Sequence, residues 1–401
     1  MIADRNFLAP DVVADPYPYL HALRAEDPVH WSEVHQAWIL TRYEDVESAF
    51  LDERLSAARV RSLLPAEPSA QDRQSFDPIY RLLGNWMVFV DNPDHARLRR
   101  LARAAFTGRM VERLRPIIAA LVDGMLSEIE RERHVDFVGR FAFPLPATVI
   151  AKLLGVPEAD LGRFQQWSQD VSGLVFGGSG GADRRERAVR GLQALERYFR
   201  DLLDRRQRAP ADDLLSELAR AEEKGDVLSA DEVIATCVLL LFAGHETTAN
   251  LLGTSLFHLV RHPEQWRWLG EDPRRATHAV EELLRFDGPT KMQVRLALED
   301  VDFRGKPVRA GQRVLLCQSA ANRDPERFAE PDRLDLARDV DEHLAFGIGI
   351  HYCLGAPLAR LEAEIALYAL ATRLPQIRVV AEPEWHATIL SRGLATLRVS
   401  V

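Results

Sequence analysis

Cys353 stands in a short run whose residue types could bind a metal. The run reads Phe346-Gly347-Ile348-Gly349-Ile350-His351-Tyr352-Cys353-Leu354-Gly355, and Ala356-Pro357 follow it. Pro357 suits the first turn of a helix, because its fixed φ is helical and its missing N–H is not needed there. A cysteine at a helix N-terminus faces unpaired N–H groups, which favour its thiolate form. We therefore expect a thiolate that binds a metal from one side, with glycines that let a flat ligand approach the backbone.

A cysteine can also be a small apolar core residue. Free cysteines are most often buried in this way. That interpretation explains Cys237 and Cys317, which lack such surroundings. It does not explain the glycine spacing around Cys353 or the histidine two residues before it.

A second group of reactive side chains lies in the segment Ala243-Gly244-His245-Glu246-Thr247-Thr248. Ser229 and Glu232 form a capping box ahead of it, and His262-Pro263 stops the pattern after roughly thirty residues of helix. Thr247 lies one turn after Ala243, so its hydroxyl can bond to that carbonyl and open the helix locally. Otherwise, Glu246 is a surface carboxylate and Thr247 merely bends the helix.

Both motifs resemble those of the cytochrome P-450 family, the haem-thiolate monooxygenases. The run around Cys353 is similar to the family pattern F-G-x-G-x-H-x-C-x-G, and the helical motif is similar to A/G-G-x-D/E-T. The resemblance implies heme b with Cys353 as the axial ligand of iron. It implies that Thr247 holds dioxygen and that Glu246 relays protons to it. It places further residues against the haem, namely Ala243, Gly244, Phe346, Gly347 and Gly355.

Basic residues elsewhere resemble the family's partners of the two haem propionates. His95 and Arg99 lie one turn apart on one face of a predicted helix. The resemblance adds Arg295 and His351 to this set. A solvated basic helix face is the alternative for the neighbouring arginines. We expect those, with others nearby, to form a basic patch that docks an acidic electron donor: Arg97, Arg100, Arg103, Arg109, Arg113 and Arg115.

Glu282 and Arg285 are three residues apart and share one face of a helix. Alone, this spacing is common on protein surfaces. The family places such a pair under the haem together with a third arginine, which here is Arg327 of Pro325-Glu326-Arg327-Phe328. We expect these three side chains to lock the fold rather than to act on substrate.

The resemblance also implies a largely hydrophobic substrate pocket. Any one of its apolar members could equally be core packing. Lys291 is the odd member, which could pair with a substrate carboxylate or reach solvent. The full predicted set is Trp86, Met87, Val88, Val171, Phe176, Leu239, Phe242, Lys291, Met292, Ile389 and Leu390.

Composition limits the classes of partner and compartment. The 401 residues carry a net charge of −9, which argues against a general nucleic-acid binder. Three scattered cysteines suit a reducing compartment, and no apolar N-terminal or membrane-spanning stretch is apparent, so we expect a cytoplasmic protein that binds no membrane. We further expect a monomer. No flavin or nicotinamide fingerprint is present, so the resemblance implies a separate ferredoxin and ferredoxin reductase as electron donors.

The predicted fold is mainly α with small β-sheets (α+β), in one domain over residues 1–401. Long helical patterns run from about Asp94 to Leu284, and strand patterns are found at Val29–Trp31, Ala37–Leu40, Val301–Leu316 and Ile377–Val401. The resemblance implies a haem between the long central helix and the helix after Cys353. The stretch Gly177-Gly178-Ser179-Gly180-Gly181 is expected to be mobile and to act as a lid.

The function implied is insertion of one oxygen atom from O2 into a hydrophobic small molecule, by hydroxylation or epoxidation. Tailoring of a natural product, such as a macrolide, terpenoid, fatty acid or carrier-bound intermediate, fits this class. A haem-thiolate sensor of a gas or redox signal is the alternative from another class, although it has no use for Glu246 and Thr247. Oxidative coupling or desaturation on the same haem is not separated from hydroxylation by the sequence.

Overall fold

The computed structural model describes residues 2–60, 80–178, 183–223, 225–340 and 342–401. Helices predominate and the sheets are small, as predicted. The α-helices with both ends in these residues are α1 (Pro10–Ala14), α2 (Tyr17–Glu26), α3 (Tyr43–Leu51), α4 (Asp94–Ala105), α5 (Gly108–Ile129), α6 (Pro144–Leu153), α7 (Leu161–Val175), α8 (Arg184–Arg208), α9 (Leu214–Arg220), α10 (Ala230–Leu259), α11 (Pro263–Glu271), α12 (Arg275–Asp287), α13 (Gln318–Ala321) and α14 (Ala356–Arg373).

The strands are short and lie mostly before and after the long helices. They are β1 (Val29–Ser32), β2 (Ala37–Leu40), β3 (Leu55–Ser56), β4 (His134–Asp136), β5 (Glu222–Glu223), β6 (Asp226–Val227), β7 (Gln293–Ala297), β8 (Val301–Phe303), β9 (Lys306–Val308), β10 (Arg313–Leu316), β11 (Arg378–Val379), β12 (Glu384–Trp385), β13 (Leu394–Thr396) and β14 (Arg398–Ser400). The largest sheet has the order β1-β2-β10-β7-β3, in which only β2 and β10 are parallel. The strands predicted at Val29–Trp31 and Ala37–Leu40 are therefore present as its β1 and β2.

The long helix α10 runs through the core. It begins at the predicted capping box, in which Ser229 accepts from the Glu232 N–H and the Glu232 side chain accepts from the Ser229 N–H. Among the helices of the described residues, α10 alone is long and apolar enough to cross a membrane, but most of that apolar stretch is buried within the protein. Its side chains pack chiefly against α6, α8 and α14. The apolar character of α10 is thus explained by its place at the centre of the fold.

Helix α14 begins three residues after Cys353, with Pro357 in its first turn as the sequence predicts. It packs against α5, α10, α11 and α12. The Cys353 loop therefore rests on a helix that the rest of the helical core holds in place.

A buried ionic network joins distant parts of the chain. The Asp287 carboxylate, at the end of α12, accepts hydrogen bonds from the Tyr17 hydroxyl (2.7 Å), His258 Nε2 (2.8 Å) and Arg392 Nε (3.1 Å). Arg392 also donates to the carbonyl of Val13 at 2.6 Å. These contacts tie the N-terminal segment, α10, α12 and the C-terminal segment together.

The end of α7 is attached to the C-terminal segment rather than free. The N–H of Leu390 donates to the carbonyl of Phe176 at 3.2 Å, and Gly178 forms a bridge with Thr388. Ser179, Gly180 and Gly181, the rest of the predicted lid, lie outside the described residues. The two described glycines of that stretch are therefore anchored at the C-terminal segment.

Most buried apolar side chains belong to one cluster. Its members range along the chain from Val60 to Val399 and include residues of α4 to α12 and of α14. Two smaller clusters lie around the main sheet and around the N-terminal helices. A single domain over residues 1–401 remains a prediction.

Candidate active site

The loop before α14 presents Cys353 at the helix N-terminus. The Cys353 N–H donates to the Phe346 carbonyl at 3.0 Å, which closes the loop on itself. Gly347 and Gly349 have φ of 67° and 70°, values that side chains with a Cβ rarely adopt. The two glycines therefore permit the turn that carries the chain from Phe346 to Cys353.

Opposing effects act on the Cys353 thiol. Burial raises its pKa, whereas the N–H groups of Gly355 and Ala356 lower it, and so do the charges of Arg99 and Arg360. The N–H groups are those at the start of α14, as expected for a cysteine at a helix N-terminus. The loop thus supplies partners for a thiolate.

Cys353 shares a cleft of about 850 Å³ with basic residues of α4. His95 and Arg99 line this cleft, and so do Arg100 and Arg103. The structure therefore brings the predicted metal ligand and the first predicted pair of propionate partners to one place.

The predicted propionate partners differ in how far the protein uses their donors: Arg99 donates to the Tyr352 carbonyl, whereas the ring of His95 has no partner within the described residues. His95 is buried, and neither ring nitrogen has a hydrogen-bond partner among the described residues. Its ring lies 4.1 Å from that of His351. Burial lowers the pKa of His95 to about 4, with Arg99 acting in the same direction, and burial lowers the pKa of His351 to about 3. A buried donor without a partner is costly, so these rings suit an anionic ligand.

A buried arginine reinforces this demand for an anion. Arg295 is 5% exposed and donates to its neighbour's carbonyl at Val294. Burial lowers the pKa of Arg295 to about 10. Burial also lowers the pKa of Arg59 to about 10, and the charge of Arg295 adds to the shift. Arg59 was not predicted from the sequence, because it belongs to none of the motifs.

The predicted acid and hydroxyl lie together on α10. The Thr247 hydroxyl donates to the Ala243 carbonyl at 2.8 Å, the bond that its spacing predicts. Helix α10 nevertheless continues without a break through Gly244. A Cβ on Gly244 would come within 3.1 Å of Ile150, so this glycine lets α6 pack closely on α10.

The carboxyl of Glu246 is partly withdrawn from solvent. Burial raises its pKa to about 7, and a hydrogen bond from Ser172 opposes the shift. The Ser172 hydroxyl donates to Glu246 Oε1 at 2.6 Å from the neighbouring helix α7. A carboxyl with a pKa near neutrality can both give and take a proton at physiological pH. Ser172 was not predicted, because nothing in its local sequence shows that α7 would reach α10.

Three of the predicted pocket residues form an aromatic stack. The rings of Trp86 and Phe242 lie 5.7 Å apart, and those of Phe242 and Phe176 lie 5.2 Å apart. Trp86 lies in a loop, Phe242 lies on α10, and Phe176 lies at the end of α7. The structure therefore brings these three together from distant parts of the chain.

Other predicted pocket residues divide between core and surface. Met87, Leu239, Met292 and Leu390 are buried. Val171 lies at the contact between α7 and α8, since a Cβ on Gly191 would meet its side chain at 3.3 Å. Val88 is 42% exposed. Ile389 packs beside Gly177 at the end of α7.

Lys291 does not reach solvent, so that expectation is wrong. The side chain is 2% exposed, and its amine donates to the carbonyl of Thr388. Burial lowers the pKa of Lys291 to about 7, and the charge of Arg392 adds to the shift. Lys291 thereby holds the C-terminal segment that also contacts the end of α7.

The predicted pair of Glu282 and Arg285 is present and fully buried. Arg285 donates to both carboxylate oxygens of Glu282, at 2.7 and 2.8 Å. The third arginine is Arg338, whose Nε lies 3.3 Å from Glu282 Oε1. The prediction of Arg327 is wrong, because Arg327 pairs with Glu342 near the surface. The backbone N–H of Asp335 also donates to Glu282, which fixes the segment that carries Arg338.

The basic patch is only partly free to meet a partner. Arg97 pairs with Asp226 and Glu232, and Arg100 pairs with Asp226. Arg113 and Arg115 have surface acids as partners, Asp212 and Glu112. Arg103 and Arg109 are exposed. Within the patch, Arg100 and Arg103 lie at the cleft that contains Cys353.

Known proteins resemble this chain over nearly its whole length. A family model described as Cytochrome P450 matches residues 192–374. A vitamin D(3) 25-hydroxylase of Pseudonocardia autotrophica is 41% identical over 394 residues, which cover 96% of this chain and 94% of that protein. The 6-deoxyerythronolide B hydroxylase of Saccharopolyspora erythraea is 37% identical over 368 residues, which cover 90% of each chain.

Solved structures agree with these relatives. P450BioI, in complex with an acyl carrier protein ligated to hexadec-9Z-enoic acid, has a TM-score of 0.90 and 34% identity, over 97% of this chain and 98% of that one. The two relatives above are named as hydroxylases, which supports an enzyme over a sensor. By its similarity to these relatives, the chain belongs to the cytochrome P450 family and is a monooxygenase.

Proposed function

We propose that this enzyme binds heme b through the Cys353 thiolate and inserts one oxygen atom from O2 into a largely apolar natural product. The observation that carries the proposal is the cleft in which Cys353 lies together with His95 and Arg99. A thiolate at one end and cationic or N–H donors beside it match a flat iron complex that bears two carboxylates.

The donor set fits heme b. Both ring nitrogens of His95 lack partners within the described residues, and Arg295 is buried with its charge. His351 and Arg99 add two further donors close by. Four donors for two propionates would satisfy the buried carboxylates of the cofactor and the open side chains of the protein at once.

Haem with a thiolate ligand supplies the oxidising chemistry, and the protein supplies ligand, protons and a dry pocket. Cys353 is held where the N–H groups of Gly355 and Ala356 stabilise negative charge on its sulfur. We assign Phe346, Gly347 and Gly355 to the same face of the cofactor, and Ala243 and Gly244 to the opposite face. This assignment follows the family motifs.

Glu246 and Thr247 handle protons. The Glu246 carboxyl, with a pKa near 7, can hold a proton at Oε2 and release it without a large change in free energy. The Thr247 hydroxyl gives its hydrogen to the Ala243 carbonyl, so its lone pairs remain able to accept a hydrogen bond from a bound molecule.

The substrate is proposed to be apolar and of natural-product size. The stack of Trp86, Phe242 and Phe176 offers flat apolar surface, for which rings and alkyl chains are suited. The named relatives act on vitamin D(3) and on 6-deoxyerythronolide B, and P450BioI binds a fatty acid on its carrier protein. A macrolide, terpenoid, fatty acid or carrier-bound acyl chain is therefore the class we propose.

The electron donors are proposed to be a separate ferredoxin and its reductase, in the cytoplasm. Arg99, Arg100 and Arg103 line the cleft next to Cys353, so an acidic protein that docks there comes close to the thiolate. We propose a monomeric enzyme that folds as one domain over residues 1–401, which the extent of the main hydrophobic cluster supports.

The carbon monoxide spectrum of the reduced holoenzyme tests the ligand. We expect the strongly red-shifted Soret band of thiolate-ligated haem in the wild type. Cys353→His should bind haem but show the band of histidine ligation. Cys237→Ser and Cys317→Ser are the matched controls, since both cysteines are buried, and they should keep the wild-type band. A red-shifted band that persists in Cys353→His would overturn the assignment.

The same preparations test oxygen insertion with three probes: vitamin D(3), 6-deoxyerythronolide B and hexadec-9Z-enoic acid. A shift of the ferric spin state reports binding. Thr247→Ala should still consume reductant, but the electrons should reduce O2 to hydrogen peroxide, and product per electron should fall roughly tenfold or more. Thr247→Ser keeps the hydroxyl and should stay near the wild type. Full coupling in Thr247→Ala would contradict the role given to that hydroxyl.

A further inference from the structure

Glu246 is held by a residue from another helix. Its Oε1 accepts the Ser172 hydroxyl at 2.6 Å, and Ser172 lies in the last turns of α7. Glu246 itself is on α10. The contact therefore bridges two helices through residues that are 74 positions apart in the sequence.

Helix α7 has few other ties to α10. It packs mainly along α8, and the backbones of α7 and α10 approach each other only sparsely. The rings of Phe176, the residue that follows α7, and of Phe242 on α10 form a second contact, 5.2 Å apart. Phe242 and Glu246 are one turn apart on α10, so both bridges lie on the same stretch of that helix. The hydrogen bond thus links the position of the end of α7 to this stretch of α10.

Within the described residues, Ser172 is the hydrogen-bond partner that anchors the Glu246 carboxyl. Burial and the Ser172 bond are the causes of its pKa shift, and no charged side chain of the described residues contributes. A carboxyl has free rotation about its side-chain bonds, which a single hydrogen bond can restrict. A hydrogen bond to a carboxylate is also stronger than one between neutral groups. The orientation of Glu246 therefore depends on Ser172.

We propose that Ser172 is the positioning residue for Glu246, and that it makes proton delivery depend on the position of α7. The inference rests on the proposed proton role of Glu246. When α7 lies close to α10, the Ser172 hydroxyl holds the carboxyl in one orientation. When a poorly fitting molecule displaces α7, the carboxyl is released and electrons are lost to uncoupled turnover.

Four holoenzyme variants test the proposal: Ser172→Ala, Ser172→Thr, Glu246→Gln and the double variant Ser172→Ala/Glu246→Gln. Ser168→Ala is the matched control. Ser168 lies one turn earlier on α7, is buried, and has a hydroxyl without a hydrogen-bond partner in the described residues. Its removal reproduces the loss of a buried hydroxyl from α7 without touching Glu246.

The first readout is infrared and needs no substrate. The carbonyl band of protonated Glu246 is assigned at pH 5 by subtracting the Glu246→Gln spectrum. In Ser172→Ala this band should move to higher frequency and broaden, because the carboxyl loses its donor. Ser172→Thr should restore the wild-type band and Ser168→Ala should leave it unchanged. An unshifted band in Ser172→Ala would overturn the proposal.

The second readout is product per electron, with whichever of the three probes shifts the ferric spin state. Ser172→Ala should lower it about threefold to tenfold, the range expected for the net effect of one typical hydrogen bond, while the spectral Kd of the probe stays within about twofold. In the Glu246→Gln background the Ser172→Ala change should have no further effect.

The outcomes separate the inference from the proposed function. If Glu246→Gln leaves coupling at the wild-type value, the proton role of Glu246 fails. If Glu246→Gln lowers coupling but Ser172→Ala behaves like Ser168→Ala, the positioning role of Ser172 fails on its own.

Discussion

Lys291 places an amine in the interior of the protein. Burial lowers its pKa from 10.5 to about 7, and the nearby positive charge of Arg392 adds to this. The amine keeps one hydrogen bond, to the carbonyl of Thr388. In the unfolded chain the same amine is protonated up to a pH near its ordinary pKa. The unfolded state therefore binds more protons than the folded state between pH 7 and about 10.

This difference gives a pH dependence of stability with a definite sign. Stability rises with pH wherever the unfolded state binds more protons, so Lys291 makes the protein more stable as the pH increases from about 7 to about 10. We expect this rise in the free energy of unfolding to be about 1–3 kcal/mol between about pH 7 and about pH 10, and we expect Lys291→Met to abolish it. The free energy of unfolding is measured by urea titration at pH 7 and pH 9.5 for both proteins. The value for Lys291→Met is subtracted from that for the wild type at each pH.

Lys306→Met is the control for the lost positive charge, because Lys306 is partly exposed and pairs with Asp27 at the surface. It should leave the pH dependence nearly unchanged. Equal pH dependence in the wild type and Lys291→Met would show that the amine is charged in the folded protein at neutral pH.

The distance over which a residue acts decides whether its role can be predicted from the sequence. The bond from Thr247 to Ala243 spans one helical turn, so the spacing alone predicts it. The amine of Lys291 instead donates to the carbonyl of Thr388, about a hundred residues later in the chain. Nothing in the neighbouring residues of Lys291 shows that this segment would cover it.

At the scale of elements, Glu282 joins α12 to the irregular segment that follows α13. Its carboxylate accepts from Arg285 on its own helix, and from Arg338 and the Asp335 N–H on that segment. Glu282 and Arg285 are fully buried. Loss of one partner would leave charge buried without compensation, which is strongly destabilising.

We compare Arg338→Lys with Arg327→Lys to test which arginine completes this junction. A lysine cannot reproduce the fork of hydrogen bonds that Arg338 makes with Glu282 and with the Ala329 and Glu330 carbonyls. Arg338→Lys should lower the free energy of unfolding by about 2–3 kcal/mol. Arg327 pairs with Glu342 near the surface, so Arg327→Lys should cost about 0–1 kcal/mol.

Urea titrations of both variants measure these costs. Equal losses, or a larger loss for Arg327→Lys, would contradict the assignment of Arg338. The prediction of Arg327 came from its place in the tetrapeptide Pro325-Glu326-Arg327-Phe328. The path of the backbone from 329 to 338 decides between them, and that path has no regular pattern to read.

At the scale of the whole molecule, positive charge collects beside Cys353 although the net charge is −9. Arg103 is exposed at the edge of the cleft, whereas Arg97 and Arg100 are paired with acids on other segments. Attraction between an acidic partner and such a patch acts mainly on the association rate and weakens in salt.

Arg103→Glu tests the docking of the electron donor. We expect reduction of the haem by an acidic ferredoxin to slow about tenfold at low ionic strength, and the difference to shrink at high salt. Stopped-flow spectroscopy measures the rate. Arg190→Glu is the control, since Arg190 is an exposed arginine on α8 outside the cleft. Unchanged rate and salt dependence in Arg103→Glu would exclude docking at this edge.

The fold could be predicted where its signals are local. The capping box of α10, the proline in the first turn of α14 and the strands β1 and β2 all follow from a few adjacent residues. The acid on α10 could be predicted, but its partner Ser172 could not, because the position of α7 depends on how α8 packs against it. Tertiary packing thus determines which residue contacts Glu246, and the motifs do not indicate it.

The ionic network around Asp287 has a consequence for folding during translation. Its donors are Tyr17, His258 and Arg392, so its members are synthesised at the beginning, the middle and near the end of translation. Until Arg392 emerges, the Asp287 carboxylate lacks its strong cationic donor, and the carbonyl of Val13 lacks its partner. The N-terminal segment therefore lacks its contact with Arg392 until almost all of the protein has been synthesised. Nascent chains halted before residue 392 should consequently engage chaperones for longer than the completed protein.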